Sequence, residues 1–344
     1  MTHSLRISGA ALAASAMATV ALLAGCSAAE PAAVPAAATA NSDVALGEMT
    51  HVTLLLDYFV YGAHAGVYEA LEKGYYADNN IDLEIIVPND PVASLKFVQA
   101  GQADIGFASP LDLVSLVSQD SEYSAFMSLV GGNLEGMAVL ASAGIDSPAD
   151  LEGKTVGTSG SVSHNAMARA QIEGAGGDPD AVEMITVGSG FMQYLVDGQV
   201  DAVVSFKPDV AAAEAAGEDV TFLPVGQDGG LAFPSIVVYA NNDTISGDPE
   251  MIAAFVDATV KGYEDLLDDP ESAAQATVDA TAGLELDGML SQVEGIGDSF
   301  LPSSGTFGDI DAEQLQSLVD FMSANGFIEN APDVESFVTT EFTN

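Results

Sequence analysis

Asp57, Tyr58, Phe59 and His64 bring a carboxylate, two aromatic rings and an imidazole into one short stretch. A carboxylate accepts hydrogen bonds from ring amines. Aromatic faces stack on flat ligands for about 0.5–1.5 kcal/mol beyond burial. Asp57 either meets such an amine or caps the turn that follows it. Strand alternation sends one of Tyr58 and Phe59 into a core and leaves the other outside. His64 starts a helix, where it either bonds a polar ligand atom or serves the structure. Further along, Ser109, the pair Asn133 and Glu135, and the group Ser159, Ser161 and His164 offer small polar contacts. Phe206 and Lys207 follow a later strand. An ammonium there suits an anionic or strongly polar ligand group, or else a surface salt bridge. These residue types recognise rather than react. There is no Ser-His-Asp order and no metal-ligand spacing to support catalysis, and no cofactor is expected.

The N-terminus carries a different chemistry. Arg6 precedes an unbroken small and apolar stretch from Ala10 to Leu23, closed by Leu23-Ala24-Gly25-Cys26. A positive flank, a short apolar core and a small-residue cleavage site mark residues 1–25 as a secretory signal peptide. Leu-Ala-Gly-Cys matches a bacterial lipobox, so Cys26 is read as the thiol that takes a diacylglycerol. An ordinary signal peptide with an incidental cysteine is the alternative. Two or three acyl chains, at about 0.8 kcal/mol per buried CH₂, would hold the chain on a membrane. Cys26 is the only cysteine, which excludes a disulfide framework and a cysteine-rich metal site. Residues 26–49 are rich in Ala and Pro and read as a flexible tether, with folded sequence from about His51.

Acidic residues number 51 against 7 basic ones, a formal net charge of −44. This balance repels nucleic acid and anionic lipid, so phosphate-backbone binding is excluded. The carboxylates are spread along the whole chain rather than gathered in a tail. Such a surface suits salty surroundings, where screening relieves its self-repulsion; an acidic secreted protein is the plainer alternative.

The elements that must position the polar groups follow from apolar periodicity. Strands are expected at 52–56, 82–87 and 103–108, with helices at 65–71 and 91–99 between them. Strands alternating with helices give an α/β fold with mainly parallel sheets. Phe97-Val98-Gln99-Ala100-Gly101-Gln102-Ala103-Asp104 is echoed by Tyr194-Leu195-Val196-Asp197-Gly198-Gln199-Val200-Asp201, and each copy runs on into a strand and a proline. One αβ unit is therefore used twice, once in each of two lobes. Lobe 1 comprises residues 51–140 plus 236–344 and lobe 2 residues 141–235. The chain crosses out near Val139 and back near Ile236, a two-strand hinge that permits closure. Ligands of open α/β sheets sit beyond the carboxyl ends of the strands, which places them between the lobes. The loop 157–161 precedes a helix starting near Ser163. Ser161 or Ser163 can cap it, and its free N–H groups favour a ligand oxygen. Strands at 236–240 and helices at 251–267 and 311–324 return the chain to lobe 1.

Leu56-Asp57-Tyr58 with His64 and Gly66, Glu72-Lys73-Gly74-Tyr75-Tyr76, Asp90-Pro91 with Gly101, Ala103 and Asp104, and Ser147 to Lys154 together resemble a known family. It groups the pyrimidine-precursor binding proteins of thiamine biosynthesis with relatives that bind alkanesulfonates or riboflavin. Fungal synthases of the same pyrimidine share the fold. The resemblance runs from Thr53 to about Phe342. It implies a type II periplasmic binding protein that serves an ABC transporter permease and ATPase from the outer face of the cell membrane. The lipid anchor would be Cys26, and a monomer is expected. The first-choice ligand is a hydroxymethyl- or formylamino-pyrimidine; riboflavin, an alkanesulfonate or another small organic anion is the alternative. The family's usual Trp after the first Asp is Tyr58 here, Val60 and Tyr61 replace a frequent Pro and Asn, and Phe206-Lys207-Pro208-Asp209 replaces an aromatic run. The synthases use a lysine and a histidine after the third strand, with a cysteine-rich loop. Ala108 and Asp112 stand at the matching positions, so the synthase reading is disfavoured and no enzyme is expected.

Overall fold

The computed structural model describes residues 44–88, 97–98, 100–160, 162–187, 190–226 and 231–343. The signal peptide, Cys26, most of the expected tether, the greater part of the expected helix at 91–99, and Ser161 lie outside the described residues. Apolar runs bounded by turns become two sheets of five strands. The first holds β1 (Thr50–Leu55), β2 (Ile81–Ile86), β3 (Ile105–Ala108), β4 (Tyr123–Val130) and β10 (Ile236–Asn241), in the order β2-β1-β3-β10-β4. The second holds β5 (Glu135–Leu140), β6 (Thr155–Thr158), β7 (Glu183–Thr186), β8 (Ala202–Phe206) and β9 (Val220–Pro224), in the order β7-β6-β8-β5-β9.

Both sheets are mixed in the same way. β1 pairs in parallel with β2 and β3, while β10 runs against β3 and β4. β6 pairs in parallel with β7 and β8, while β5 runs against β8 and β9. In each, one opposed strand stands between the third and fourth of the co-directional strands; in the first sheet that strand, β10, follows the whole second sheet in the chain.

Helices α1 (Ala65–Glu72), α2 (Tyr75–Asp78) and α3 (Pro110–Val117) alternate with the strands of the first sheet. Helices α4 (Val162–Gly174), α5 (Phe191–Val196) and α6 (Lys207–Ala215) do so in the second. After β10 come α7 (Asn242–Gly247), α8 (Pro249–Asp268), α9 (Pro270–Ala280), α10 (Leu286–Ile296) and α11 (Ala312–Ala324). Period-two alternation separates the faces of the first sheet. Val52 and Leu54 of β1 join Val238 and Ala240 of β10 in one core with α8, and Leu55 joins Val237 and Tyr239 in another with α3 and α11. A sheet covered on both faces needs apolar residues on both, which is why these strands read as continuous runs.

The echoed αβ unit has one physical task in each sheet. Asp104, at the head of β3, accepts from the backbone N–H of Thr53 at 2.9 Å and from its hydroxyl at 2.6 Å. Asp201, at the head of β8, accepts from the backbone N–H of Thr155 at 2.9 Å. Gly101 and Gly198 supply the positive φ, +64° and +68°, that ends the preceding helix in each copy.

Two expected boundaries move. Val139 lies inside β5 and pairs with β8 and β9, so the outward crossing precedes Glu135 instead of falling near Val139. Glu135 and its neighbours belong to the second sheet because they are the opposed strand that its order requires. The tether also ends earlier than residue 49. Leu46 exchanges hydrogen bonds with Asn79 and Asn80, and Val44 and Leu46 pack on the first core, since both are apolar and find a partner surface.

Candidate functional site

The stretch from Asp57 to His64 leaves β1 and turns before α1. Residues 62–64 form a single 3₁₀ turn in which His64 is wholly buried. His64 Nε2 lies 2.8 Å from Asp57 Oδ1, so the imidazole orients the carboxylate rather than reaching a ligand through that nitrogen. Its Nδ1 is buried without a hydrogen-bond partner. Its ring packs edge-on to Tyr61 at 4.6 Å. Strand alternation fails for the aromatic pair, because both rings lie past the end of β1 and alternation stops with the strand. Tyr58 is 51% and Phe59 48% exposed, and they meet edge to face at 5.0 Å. Two large rings are thus held out in water next to a carboxylate in the sequence.

The turn is fixed from behind by α10. Gln292 Oε1 accepts from the Gly62 backbone N–H at 2.9 Å, and a Cβ on Gly62 would lie only 2.7 Å from that of Gln292. Only glycine permits so close an approach.

Asn133 and Glu135 sit where the chain crosses to the second sheet, and Ser235 sits on the return crossing. The Ser235 hydroxyl accepts from the Leu134 N–H at 2.7 Å and donates to Glu135 Oε2 at 2.9 Å. Asn133 Oδ1 accepts from the Glu135 N–H at 2.9 Å, while its amide nitrogen is buried without a partner. Burial pushes the Glu135 carboxyl up to about 7, against the hydrogen bonds that favour its charge. The two hinge strands are thus stitched by one buried carboxyl and one hydroxyl.

Ser109 caps α3 through its backbone, with no capping bond from its side chain. Ser159 Oγ lies 2.8 Å from His164 Nδ1 at the start of α4, and the His164 ring is 6.1 Å from Phe206. Burial lowers the His164 imidazole. Phe206 packs on the first core from the end of β8. Lys207 differs from its expected role. Its Nζ donates to Ile296 O and Ser299 Oγ, both at 3.2 Å. The carbonyl end of α10 attracts the ammonium, so the charge is not the free cation assigned above to a ligand.

Tyr61, Asp112 and Asp209, named above where the chain departs from the family it resembles, are perturbed in the structure. Burial, with the charges of Asp57, Glu135 and Asp209, holds the Tyr61 phenol well above its usual range. Those carboxyls come from the loop after β1, the start of β5 and the first turn of α6, so the ring marks where the lobes converge. Burial and then Asp57 push Asp112 up to about 6, and burial pushes Asp209 up to about 6. Water reaches Tyr61, Asp112, His164 and Asp209, yet desolvation dominates each titration. Asp112 and Asp209 hold the same place in the two copies of the αβ unit. An apolar hollow of about 40 Å³ lined by Met167, Pro224 and Phe321, among others, shares none of these residues.

Two mixed sheets of five strands joined by two crossings make the α/β fold of two-lobed periplasmic binding proteins. The aliphatic sulphonate binding protein SsuA of Escherichia coli shares it, with a TM-score of 0.66 at 15% identity over 83% of this chain and 96% of its own. Residues 62–273 match the family described as NMT1/THI5 like, and the chain belongs to that family. The formylaminopyrimidine-binding protein of Halalkalibacterium halodurans is 27% identical over 311 residues, 88% of this chain and 93% of the relative. The 4-amino-5-hydroxymethyl-2-methylpyrimidine phosphate synthase of Legionella pneumophila is 27% identical over 229 residues, 65% of this chain and 72% of that one.

Proposed function

We propose that this chain is the solute-binding component of an ABC importer, taking a small nitrogen heteroaromatic of the formylaminopyrimidine type between its lobes. The observation that carries the reading is the exposed pair Tyr58 and Phe59, which meet edge to face next to Asp57. A flat ring stacks on this pair, its exocyclic amine donates to a carboxylate, and closure about the two crossings surrounds it. A permease then distinguishes the closed, loaded form from the open one. A stacked ring with a few polar bonds reaches micromolar affinity, about −8 kcal/mol.

The matching positions for the synthases' lysine and histidine are Ala108 and Asp112, which supports a binding role without chemistry. Export, a Cys26 anchor on the outer face of the cell membrane and a monomeric state complete the proposal. The deciding experiment is mass spectrometry of the ligand retained by purified protein, followed by calorimetric titration with pyrimidines, riboflavin and alkanesulfonates. A pyrimidine is the expected cargo; a retained sulfonate with no pyrimidine binding sinks the reading. Imine absorbance on adding pyridoxal phosphate would restore the synthase alternative. Release of a Cys26→Ala variant into the medium checks the anchor.

A further inference from the structure

Three faces of helix α10 meet three different parts of the molecule. Met289, Val293 and Ile296 lie in a core of the first sheet. Gln292 meets the turn that follows β1. Its Oε1 accepts from the Gly62 N–H, and a Cβ on Gly62 would lie 2.9 Å from the Gln292 carbonyl carbon and from the Val293 nitrogen. Ser291 and Gly295 lie one helical turn apart on the third face, against α6 of the second sheet. The Ser291 hydroxyl donates to the Ala211 carbonyl at 3.1 Å, and a Cβ on Gly295 would overlap that of Ala211. At the end of the helix the Ile296 carbonyl accepts from Lys207 Nζ, also on α6.

These contacts tie the two sheets together independently of the two crossings. A hinge motion that lifts α6 must break them or carry α10 along, since close-packed surfaces leave no slack. On its neighbouring face α10 is seated just as tightly on Gly62, which is buried. A displacement of the helix therefore reaches the stretch that carries Asp57, Tyr58, Phe59 and His64 through one backbone hydrogen bond and one van der Waals contact.

We infer that Gln292 is a positioning residue for the turn from Asp57 to His64, and that α6 of the second sheet holds it in place. The inference rests on the proposed role of that turn in binding and deepens it. Docking of α6 on α10 and ordering of the turn then go together. The binding surface of one half takes its working shape only when the other half is seated. A ligand that fixes the turn favours the seated arrangement in return, because coupling of this kind is reciprocal. Adjacency alone does not establish coupling; a change on one side read out on the other does.

The test is residue-resolved amide hydrogen exchange at Gly62 in the full chain, in high salt and without ligand. Gln292→Met removes the acceptor and should speed exchange at Gly62 by about 10-fold. Gly295→Ala adds one methyl and favours the helix. That methyl clashes with the Ala211 Cβ alone, since the next atoms, the Ala211 Cα and the Lys207 carbonyl oxygen, lie 3.9 and 4.0 Å away. It should force the helices apart and speed Gly62 exchange by about 5-fold or more. Ala211→Gly in the same chain makes room for the methyl and should bring the rate back to within about 2-fold of the parent. Ser291→Ala introduces no clash, should act in the same direction by about 3-fold, and decides the matter if Gly295→Ala does not fold. An unchanged rate at Gly62 in the folded variant, or a Gly295→Ala effect that Ala211→Gly leaves in place, overturns the proposal. Calorimetric titration with 4-amino-5-hydroxymethyl-2-methylpyrimidine reads the consequence for binding, which Gly295→Ala should weaken and the paired change restore. Binding untouched by a variant that loosens the turn also overturns the positioning role. If the parent itself binds no pyrimidine, the proposed function fails and the exchange rates still decide the coupling.

Discussion

Replacing Glu135 with glutamine isolates one buried proton. In the folded chain burial raises this carboxyl from 4.5 to about 7, while the unfolded chain leaves it at the ordinary value. Between those two pH values the native state holds a proton that the unfolded state has released. Stability is therefore complete below about 4.5 and falls as pH rises, and the loss levels off above about 7. The difference of roughly 2.5 pH units at 1.36 kcal/mol each gives a cost of about 3 kcal/mol at pH 8. Glu135→Gln keeps an oxygen for the Ser235 hydroxyl and has nothing to titrate. Urea unfolding at fixed high salt, at intervals from pH 4.5 to 8.5, compares the two proteins. The variant should match the parent at the acid end and exceed it by up to about 3 kcal/mol at the alkaline end. Subtracting one curve from the other removes every other acid in the chain. A difference that does not change with pH would refute the reasoning, whatever its size.

Three further outcomes follow from the same structure. Tyr58→Ala and Phe59→Ala should each weaken ligand binding by up to about 10-fold through lost stacking. Both rings are exposed, so urea midpoints should shift by no more than about 0.5 kcal/mol equivalents. Asp104→Ala strands the backbone N–H and hydroxyl of Thr53, costing about 1–3 kcal/mol, with faster hydrogen exchange at Thr53 as its local signature. The formal charge of −44 predicts a melting temperature that rises steadily with sodium chloride; a flat profile between dilute and molar salt would count against the screening argument.

The duplicated αβ unit is legible in the sequence because its task is local: a glycine ends a helix and an aspartate holds the next strand. β4 is harder to see. Every residue from Tyr123 to Val130 is buried, so neither alternation nor a helical period marks it. α10 is obscured by Gly288 and Gly295, which lower helix propensity. Gly295 is there for packing, since a Cβ would lie 2.4 Å from that of Ala211 on α6. The pair of rings next to a carboxylate could be inferred from Asp57, Tyr58 and Phe59, although alternation gave the wrong prediction for where the rings point. Lys207 misleads because scarcity of cations draws attention to it. Its partners Ile296 and Ser299 lie far along the chain, and no spacing rule connects them. That Asp112 and Asp209 correspond to each other becomes visible only when the repeat is followed past its strands.

The late position of β10 in the chain also sets an order of completion during synthesis. β3 and β4 never bond to each other; β10 stands between them and is made only after the whole second sheet. A growing chain therefore has everything it needs to close the second sheet once Pro224 has emerged, while the sheet begun first stays open until Asn241. Until then two apolar strand edges wait unpaired, exposed to chance partners. A ribosome pause or a truncation between those two points would leave one finished half joined to an adhesive unfinished one, so that stretch of synthesis is where the molecule is most vulnerable to aggregation.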